Sequence, residues 1–502
     1  MKVLCLCVLQ MLLCVSLGFA QSNSIPQPGF KTIIPLAPVN NLTDETKDKP
    51  QAKTWIYAGK WWSVLSVTGG TKLFRLDGTA WTEILQLTFG KSKPDCWVAG
   101  NLVHLLIYKG SFNNTYLYTL QYDEVKGTYK LWDQRPTGTI LILPEGAQTA
   151  TLVMDSKGRI WTAADGINHI RVWYSDAPYT SWKGPVTIAN NVDNDDMCTL
   201  LALPALGKIG IFWSNQVTER FGFKTHNDGA DADSWSADEL PAAASARDNI
   251  GGGMADNHMS AKVAADGTVY VASKTSYDTT GFPKLLLLVR RPGGNWDAPY
   301  PITTYPEGTQ PCLLLNEIKN TIRVVYSSIE NGSDILYRAS STVSIAFSAS
   351  MPLIKTPGLV YNFATSTHQN YGSSVVILAT NMSVSPNQAI SVLASDDELV
   401  IDSTGSPVIK PVVTGDPTVL KVYPNPSNGT ANIRLRLPFT SSFNLTLYDS
   451  RGRKVKTLRE GKTLADTETI VPLNGNGLPP AVYYIRLHAG IAVTVKQIII
   501  QH

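Results

Sequence analysis

The chain is poor in cysteine and, after its first residues, has no long hydrophobic run. Only 6 of its 502 residues are cysteines, and three of these fall within the first 20 residues. The other three, Cys96, Cys198 and Cys312, cannot supply a complete disulfide framework, so we expect them to be small core residues in a fold stabilised by hydrophobic packing. No stretch after residue 20 reaches the roughly 18 apolar residues that a membrane-spanning helix needs.

Charged residues are scarce as well, at 17% of the chain, and the formal net charge is only +3. No basic stripe interleaved with aromatic residues occurs in the central region, which argues against a nucleic-acid partner. The chain also lacks a Cys-x-x-Cys pair, an EF-hand loop, a phosphate-binding loop and a dinucleotide fingerprint. We therefore expect no metal and no cofactor.

Residues 1–20 have the composition of a secretory signal peptide. Lys2 precedes an apolar stretch from Val3 to Leu17, and Gly18–Ala20 places small residues before Gln21. Such a segment is removed during export. We expect the mature protein to be exported and to have no transmembrane segment. Its first part is a lead-in segment at 21–50.

A repeat of roughly 50 residues runs from about Trp55 to Glu398. Pairs of short apolar strands recur along it, such as Gly158–Ala164 with His169–Tyr174 and Lys208–Trp213 with Arg220–Phe223. An aromatic residue closes each unit, namely Trp81, Trp132, Trp182, Trp235, Trp296 and Phe347. Four short strands per unit with a closing aromatic are typical of a β-propeller blade. We predict an all-β fold, with a seven-bladed propeller over 51–400 that a strand within about 31–55 completes; the alternative is a pair of β-sandwiches.

One turn resembles the Asp-box of sialidase-type propellers. Ser175–Trp182 is a degenerate form of the pattern Ser-x-Asp-x-Gly-x-Thr-Trp and lacks the central Gly. Ser276–Gly281 matches the pattern more loosely. In that family the Asp-box is a structural turn, so the resemblance implies a propeller and no particular chemistry. Arginines are sparse, and no motif groups the three that sialidases use for a substrate carboxylate.

The C-terminal segment predicts a small β-sandwich. Strands such as Ala431–Leu437 and Phe443–Tyr448 alternate apolar and polar residues between Pro/Asn/Gly turns. Three motifs follow one another in it, at Val422–Gly429, Leu447–Val455 and Pro480–Leu487.

Together, these motifs resemble the C-terminal sorting domain of the type IX secretion system, over about 417–502. In that family the domain carries a folded cargo across the outer membrane of Bacteroidota-type bacteria. The resemblance implies that this chain passes through the periplasm, is secreted or attached to the outer surface, and has the secretion machinery as a partner. We place a linker at 401–417 and the sorting domain at 418–502.

Aligning the repeats places six short segments in the register of the innermost strand of a blade. They are Pro94–Trp97, Thr149–Leu152, Asp196–Thr199, Asn257–Ser260, Gln310–Leu313 and Thr367–Asn370. Polar side chains in these segments converge on the propeller axis in that alignment, where ligands of propellers bind. The candidate substrate-binding residues are Asp95, Asp196, Asn257, Gln310 and His368. The same residues could instead hydrogen bond to each other and hold the blades together.

The best local group of residues whose side chains suit acid–base catalysis is His258, Lys274 and Tyr277. Abstraction of a proton beside a uronate carboxylate needs a base such as His or Tyr and a cation that neutralises the acid. A glycoside hydrolase would instead use two carboxylates, for which Asp95 and Asp196 are candidates.

Binding without turnover is the remaining class. A polar mouth with exposed aromatics stacks on sugar rings, and the candidates are Trp61, Trp62, Trp97 and Tyr277. The prediction is an exported bacterial propeller that recognises an extracellular polysaccharide, with or without cleaving it as a lyase or hydrolase. The alternative is a non-catalytic, adhesin-type surface propeller that binds a glycan or a protein.

Overall fold

The computed structural model describes residues 29–47, 49–402, 405, 407–409, 419–437, 441–464, 467–489 and 492–501. The chain divides into two compact units, 1–409 and 410–502. The predicted signal peptide and most of the predicted linker lie outside the described residues. Within the described residues, helix is limited to two three-residue turns, Pro204–Leu206 and Ala243–Ser245. Neither has the length and hydropathy that a helix needs to cross a membrane.

The first unit consists of antiparallel sheets that follow one another along the chain, seven of them in the described residues. Sheet 1 contains β2 (Thr54–Tyr57), β3 (Lys60–Val67), β4 (Gly70–Asp77) and β5 (Ala80–Thr88). Sheet 2 contains β6 (Lys93–Ala99), β7 (Leu102–Tyr108) and β8 (Asn114–Asp123), with β9 (Thr128–Leu131) and β10 (Thr139–Ile142) both paired to β8. Sheet 3 contains β11 (Ala150–Met154), β12 (Ile160–Gly166), β13 (His169–Ser175) and β14 (Lys183–Asn190). Sheet 4 contains β15 (Cys198–Leu203), β16 (Lys208–Asn215) and β17 (Arg220–Asn227).

The remaining sheets of this unit have the same order. Sheet 5 contains β18 (Met259–Val263), β19 (Val269–Lys274), β20 (Pro283–Arg290) and β21 (Tyr300–Thr304). Sheet 6 contains β22 (Thr309–Asn316), β23 (Thr321–Ser327), β24 (Ile335–Ser341) and β25 (Met351–Ile354). Sheet 7 contains β26 (Tyr361–Thr365), β27 (Ser374–Asn381), β28 (Gln388–Ser395) and the N-terminal β1 (Thr32–Val39). A short pair, β29 (Leu399–Ile401) and β30 (Pro407–Ile409), follows.

The sheets form a closed ring, which confirms the predicted propeller. The first strand of each sheet packs beside the first strand of the next. Between sheets 7 and 1 the ring is closed by a parallel bridge from Thr54 to Thr367. At the outer edge, β1 pairs with β28 from Thr32↔Ser395 to Val39↔Ala389. The ring therefore extends into the predicted lead-in (21–50), which supplies the outermost strand of sheet 7.

Three of the repeating aromatics, Trp81, Trp235 and Trp296, contact the preceding sheet of the ring. Trp235 of sheet 4 lies edge-on to Trp161 of sheet 3, with ring centroids 5.9 Å apart. Trp296 of sheet 5 contacts Phe223 of sheet 4 at 5.5 Å. Trp81 of sheet 1 donates a hydrogen bond of 3.0 Å to Ser391 Oγ of sheet 7. The aromatic period therefore reflects the packing of one sheet on the previous one.

The second unit has two antiparallel sheets, as the sequence predicts for a β-sandwich. One has the order β31 (Val419–Tyr423), β32 (Thr430–Arg436), β35 (Glu468–Asn474), and the other has the order β34 (Lys454–Thr463), β33 (Ser441–Asp449), β36 (Ala481–Ala489), β37 (Ala492–Ile500). Alternate residues of β36 are buried, among them Ile485 and Leu487, and they share one core with Ile433 and Leu445. The alternation of apolar and polar residues therefore matches the inner and outer faces of these sheets.

Candidate functional site

Residues 43–47 and 49–53, here called the crossing segment, cross one mouth of the ring, at the amino ends of its innermost strands. Lys47, Gln51 and Lys53 of this crossing segment are each at most 3% exposed. Their side chains donate hydrogen bonds to backbone carbonyls of sheets 2, 3 and 6, or of the turns before them. The acceptors are Lys93, Pro94, Ala150, Gln310 and Pro311. This mouth is therefore filled by the chain itself.

Asp95, a predicted substrate-binding residue, joins three parts of the ring. It is fully buried. One carboxylate oxygen accepts the backbone N–H of Ala52 at 2.8 Å and contacts His368 Nε2 at 2.8 Å. The other accepts the backbone N–H of Leu152 at 3.0 Å. The structure thus brings Asp95 and His368 together, but in a contact that fastens the crossing segment to sheets 2, 3 and 7.

Asp196 and Gln310 are also buried near this mouth. Asp196 accepts backbone N–H bonds from Asp193 at 2.6 Å and from Gln216 at 3.0 Å. Burial raises the pKa of Asp196 above its ordinary value, and these hydrogen bonds only partly offset that effect. The side-chain oxygen of Gln310 is buried without a hydrogen-bond partner among the described residues. Neither residue lines the central cavity described below.

His258 and Asp256 form a hydrogen-bonded pair on the same face of the ring. His258 Nδ1 lies 2.7 Å from Asp256 Oδ1. Burial lowers the pKa of His258, and although Asp256 raises it, the net direction is downward, so the imidazole is neutral at neutral pH. A neutral imidazole that is bonded at Nδ1 presents Nε2 as a proton acceptor.

Lys274 lies beside this pair, and its charge is already compensated. Its Nζ is 3.3 Å from Asp256 Oδ2 and 2.6 Å from Glu330 Oε1. Burial lowers its pKa, but Asp256 and Glu330 raise it, with a net upward direction. Asn257 lies nearby and donates its side-chain amide to Asp195. The structure therefore places Asn257, His258 and Lys274 in one group, in which carboxylates accept hydrogen bonds from each side chain.

Tyr277, the third predicted catalytic residue, points into the core. It is 3% exposed and packs on Phe282 with ring centroids 5.3 Å apart. Its hydroxyl accepts the backbone N–H of Arg247 at 2.9 Å. Among the described residues, the hydroxyl makes no hydrogen bond to His258 or Lys274. The catalytic role predicted for Tyr277 stays a prediction.

A cavity of about 300 Å³ occupies the axis of the ring below the crossing segment. Its wall at that end, including Lys47, Gln51 and Ala52, is buried, whereas Pro204 and Ala265 at the other end are exposed. The cavity therefore opens where the innermost strands end. Its volume lies at the low end of ligand pockets, which range over roughly 300–1,000 Å³.

Trp97 and His368 line this central cavity side by side. Their ring centroids are 6.0 Å apart, and Trp97 is half-buried. The indole N–H of Trp97 makes no hydrogen bond to a described residue. The other aromatic candidates differ, because Trp61 and Trp62 are core residues that are 6% and 0% exposed. Of the predicted stacking residues, Trp97 is the one in the cavity wall.

The mouth of the cavity is fixed by hydrogen bonds between sheets 5, 6 and 7. Asn370 Nδ2 donates to Glu317 Oε1 at 2.7 Å and to the carbonyl of Val263 at 2.7 Å. Glu317 Oε2 accepts the backbone N–H of Ala265 at 2.7 Å. Both carboxylate oxygens of Glu317 therefore accept hydrogen bonds that join neighbouring sheets at this mouth.

Sequence reasoning missed the crossing segment and the lysines of the cavity. The segment occurs once and belongs to no repeat. Lys262 is the one charged residue of the innermost strand β18, and this isolated charge is the signal that could have revealed it. The register assignment also slipped at one place, since Thr367–Asn370 follows β26 and lies outside it. Among the described residues, no group of three or more His, Cys, Asp or Glu side chains is arranged to hold a metal ion.

Residues 421–501 match the family described as the secretion system C-terminal sorting domain. This match supports the predicted type IX sorting domain and indicates export to the outside or the outer surface of the cell. A search among curated proteins gave no match.

The chain aligns with solved structures at low sequence identity and with TM-scores below 0.5. Polysaccharide lyase Uly1 aligns at 10% identity with a TM-score of 0.45, covering 74% of this chain and 100% of that chain. A polysaccharide lyase PL25-ulvan lyase bound to -[GlcA(1-4)Rha3S]- aligns at 11% identity with a TM-score of 0.46, covering 75% and 98%. An exo-β-1,3-galactanase from Phanerochaete chrysosporium aligns at 10% identity with a TM-score of 0.32, covering 71% and 95%. The sialidase-type resemblance of the sequence stays a prediction.

Replacing Asp95 tests whether it holds the ring together. Asp95→Ala leaves the N–H groups of Ala52 and Leu152 buried without an acceptor, so we expect the free energy of unfolding to fall by about 3 kcal/mol or more. Asp133→Ala is the control, because Asp133 is 71% exposed in its ion pair with Lys130 and should change stability by less than about 1 kcal/mol. Urea unfolding measures both variants. Equal stability of the two would show that Asp95 is not a structural hub.

Proposed function

We propose that this protein is exported and recognises an extracellular polysaccharide, with a sugar unit of it entering the central cavity. The observation that carries the proposal is the position of Trp97. A half-buried indole in the wall of an open, ligand-sized cavity supplies the apolar face on which a sugar ring stacks.

Polar groups around Trp97 suit the hydroxyls of a sugar. His368 borders the ring of Trp97, and the hydroxyls of Thr199 and Ser260 lie in the same wall. Thr199 is 2% exposed and its hydroxyl has no hydrogen-bond partner among the described residues. Ser260 Oγ accepts the backbone N–H of Leu313 at 3.0 Å, and its proton remains for a ligand. A buried hydroxyl without a partner is unfavourable, and a bound sugar would satisfy it.

The size of the cavity points to one or two sugar units and not to a long stretch of chain. A groove for an extended polysaccharide runs across a surface, whereas this cavity is blocked at one end by the crossing segment. We therefore place the end of a polysaccharide chain, or a side branch, in the cavity.

Truncation of Trp97 tests this site. Trp97→Ala should weaken binding of the full chain to its polysaccharide by about tenfold or more, since aromatic anchors in pockets carry much of a binding energy. Trp182→Ala is the matched control, because Trp182 is also half-buried but lies before β14, away from the cavity. Affinity electrophoresis against a panel of acidic and neutral polysaccharides identifies the ligand. Binding that survives Trp97→Ala, or no saturable binding at all, would reject the proposal.

A second candidate function is cleavage by a lyase, favoured by the His258–Asp256 pair. Its geometry, with Nδ1 bonded to the carboxylate and Nε2 left as a base, suits abstraction of a proton beside a uronate. This pair lies at the mouth that the crossing segment fills, whereas the cavity opens at the other end. The two candidate functions therefore depend on separate residues and are tested separately.

For cleavage, we expect absorbance near 232–235 nm, roughly where unsaturated uronates absorb, to rise with the wild type and to stay flat with His258→Ala. Asp256→Asn should reduce the rate, since it removes the charge that orients the imidazole. Tyr277→Phe should retain the rate, because the hydroxyl is bonded to Arg247 in the core. Thermal unfolding must show that His258→Ala is folded. No absorbance change on any uronate polysaccharide would exclude the lyase, and reducing ends without absorbance would indicate a hydrolase.

Deletion of residues 418–502 tests the export route. The truncated protein should stay in the periplasm of its host with the propeller folded, because the sorting domain is the part that the type IX machinery recognises. Cell fractionation with an antibody against the propeller measures this. The reciprocal test attaches residues 410–502 to a periplasmic reporter, which should then reach the medium or the cell surface. Secretion of the truncated protein at the wild-type level would contradict the assignment.

A further inference from the structure

Two buried ammonium groups line the central cavity. Lys47 of the crossing segment and Lys262 of β18 are both 3% exposed, and both belong to the wall of the cavity. Neither forms an ion pair with a carboxylate in the ranges that the structure describes. Most lysines that are this deeply buried have an acidic partner, so these two differ from Lys274.

Both amines bond to backbone carbonyls. The acceptors are Gln310 and Pro311 for Lys47, and Thr367 and Gln369 for Lys262. An ammonium group carries three N–H donors. Each lysine therefore keeps one donor beyond its two carbonyl bonds, in the wall of a cavity that a ligand can enter.

The rest of the wall adds donors and no spare carboxylate. The hydroxyls of Thr199 and Ser260 each have a proton without an acceptor among the described residues. Glu317 is the acid in the wall, and both of its oxygens are already bonded to Asn370 and to the backbone of Ala265. The two positive charges of the wall outweigh the one negative charge of Glu317, so the cavity is complementary to an anion.

The charges persist at neutral pH. Burial lowers the pKa of Lys47 to about 8 and that of Lys262 to about 8. Both groups are therefore still mostly protonated at pH 7, although water is largely excluded from them. An anion placed beside them is stabilised more strongly than it would be at the surface, because the local dielectric constant is lower.

We propose that the central cavity binds the anionic group of an acidic sugar, a carboxylate or a sulfate ester, through Lys47 and Lys262. This inference rests on the proposed sugar site and names its ligand class. The sugar ring stacks on Trp97, and its acidic group accepts the remaining N–H of each lysine together with the hydroxyl protons of Thr199 and Ser260.

Titration of the full chain with four small probes tests the ligand class. Galacturonic acid represents a carboxylate and galactose 6-sulfate a sulfate ester, with galactose as the neutral sugar and inorganic sulfate as the free anion. We expect at least one acidic sugar to bind about tenfold or more tightly than galactose, and its affinity to fall with added salt. Isothermal titration calorimetry measures all four.

A matched pair of variants assigns the site. Lys262→Met keeps much of the side-chain length and removes the charge, so the affinity for the acidic sugar should fall to that for galactose. Lys284→Met is the control, because Lys284 also donates to a carbonyl, that of Thr275 at 3.1 Å, but lies outside the cavity wall. Lys47→Met should act like Lys262→Met.

A second measurement needs no variant and remains decisive where the substitutions prevent folding. Deprotonation of both lysines removes the charges, so the affinity for the acidic sugar should fall as the pH rises from 7 to 9, while that for galactose stays constant. The other titratable groups of the wall are Cys312, His368 and Glu317. Burial raises the pKa of the Cys312 thiol, so it adds no negative charge in this range.

The outcomes separate this inference from the proposed function. Equal affinity for galactose and the acidic sugars would overturn the anion site and leave the sugar site standing. Binding of acidic sugars that both methionine variants retain, or that does not change with pH, would also overturn it. Binding of inorganic sulfate alone would reject the sugar as the ligand. If no small probe and no polysaccharide binds, the proposed function fails together with the inference.

Discussion

The ring depends on how its innermost strands satisfy their free edges. In each sheet the first strand has a partner on one side, and its other edge faces the axis with backbone groups that need hydrogen bonds. The crossing segment meets this need at one end, where Lys47, Gln51 and Lys53 donate to carbonyls of several sheets. A lysine suits this position because its three donors on a long stem reach carbonyls of different strands.

This solution has an electrostatic consequence. The lysine ammonium groups that donate to the backbone carbonyls place positive charge at the axis of the ring. Carbonyl oxygens compensate a full positive charge only in part. Asp95 also lies at the axis, but it is occupied by backbone N–H groups and His368. The wall of the cavity below the crossing segment therefore has a net positive charge, and the interactions that close the ring at one end also make the cavity complementary to an anion.

Much of the fold could be predicted from the sequence because it repeats. Trp235 and Trp296 each contact the preceding sheet of the ring, and they keep the same place in successive repeats for that reason. The crossing segment could not be found in this way. Its hydrogen bonds join side chains to distant backbone carbonyls, as for Lys47 and Pro311, and such pairs leave no periodic pattern in a single sequence.

The candidate site was predicted in part for the same reason. Register placed Asp95 near the axis, but register does not reveal which polar side chains are already hydrogen bonded within the fold. Tyr277 illustrates the limit, since its type suited proton transfer whereas its hydroxyl is bonded to Arg247 in the core. Only the contacts of each side chain separate a residue that holds the fold from one that remains available.

That distinction also bears on the choice between recognition and cleavage. A lyase must neutralise the substrate carboxylate as the proton leaves, and the cation for this role must not be bound elsewhere. Lys274, the cation beside His258, already contacts Asp256 and Glu330. Lys262 in the central cavity has no such carboxylate, because its partners are the backbone carbonyls of Thr367 and Gln369. The cation beside the His258–Asp256 pair is thus already compensated, which favours recognition of an acidic sugar over its cleavage by this pair.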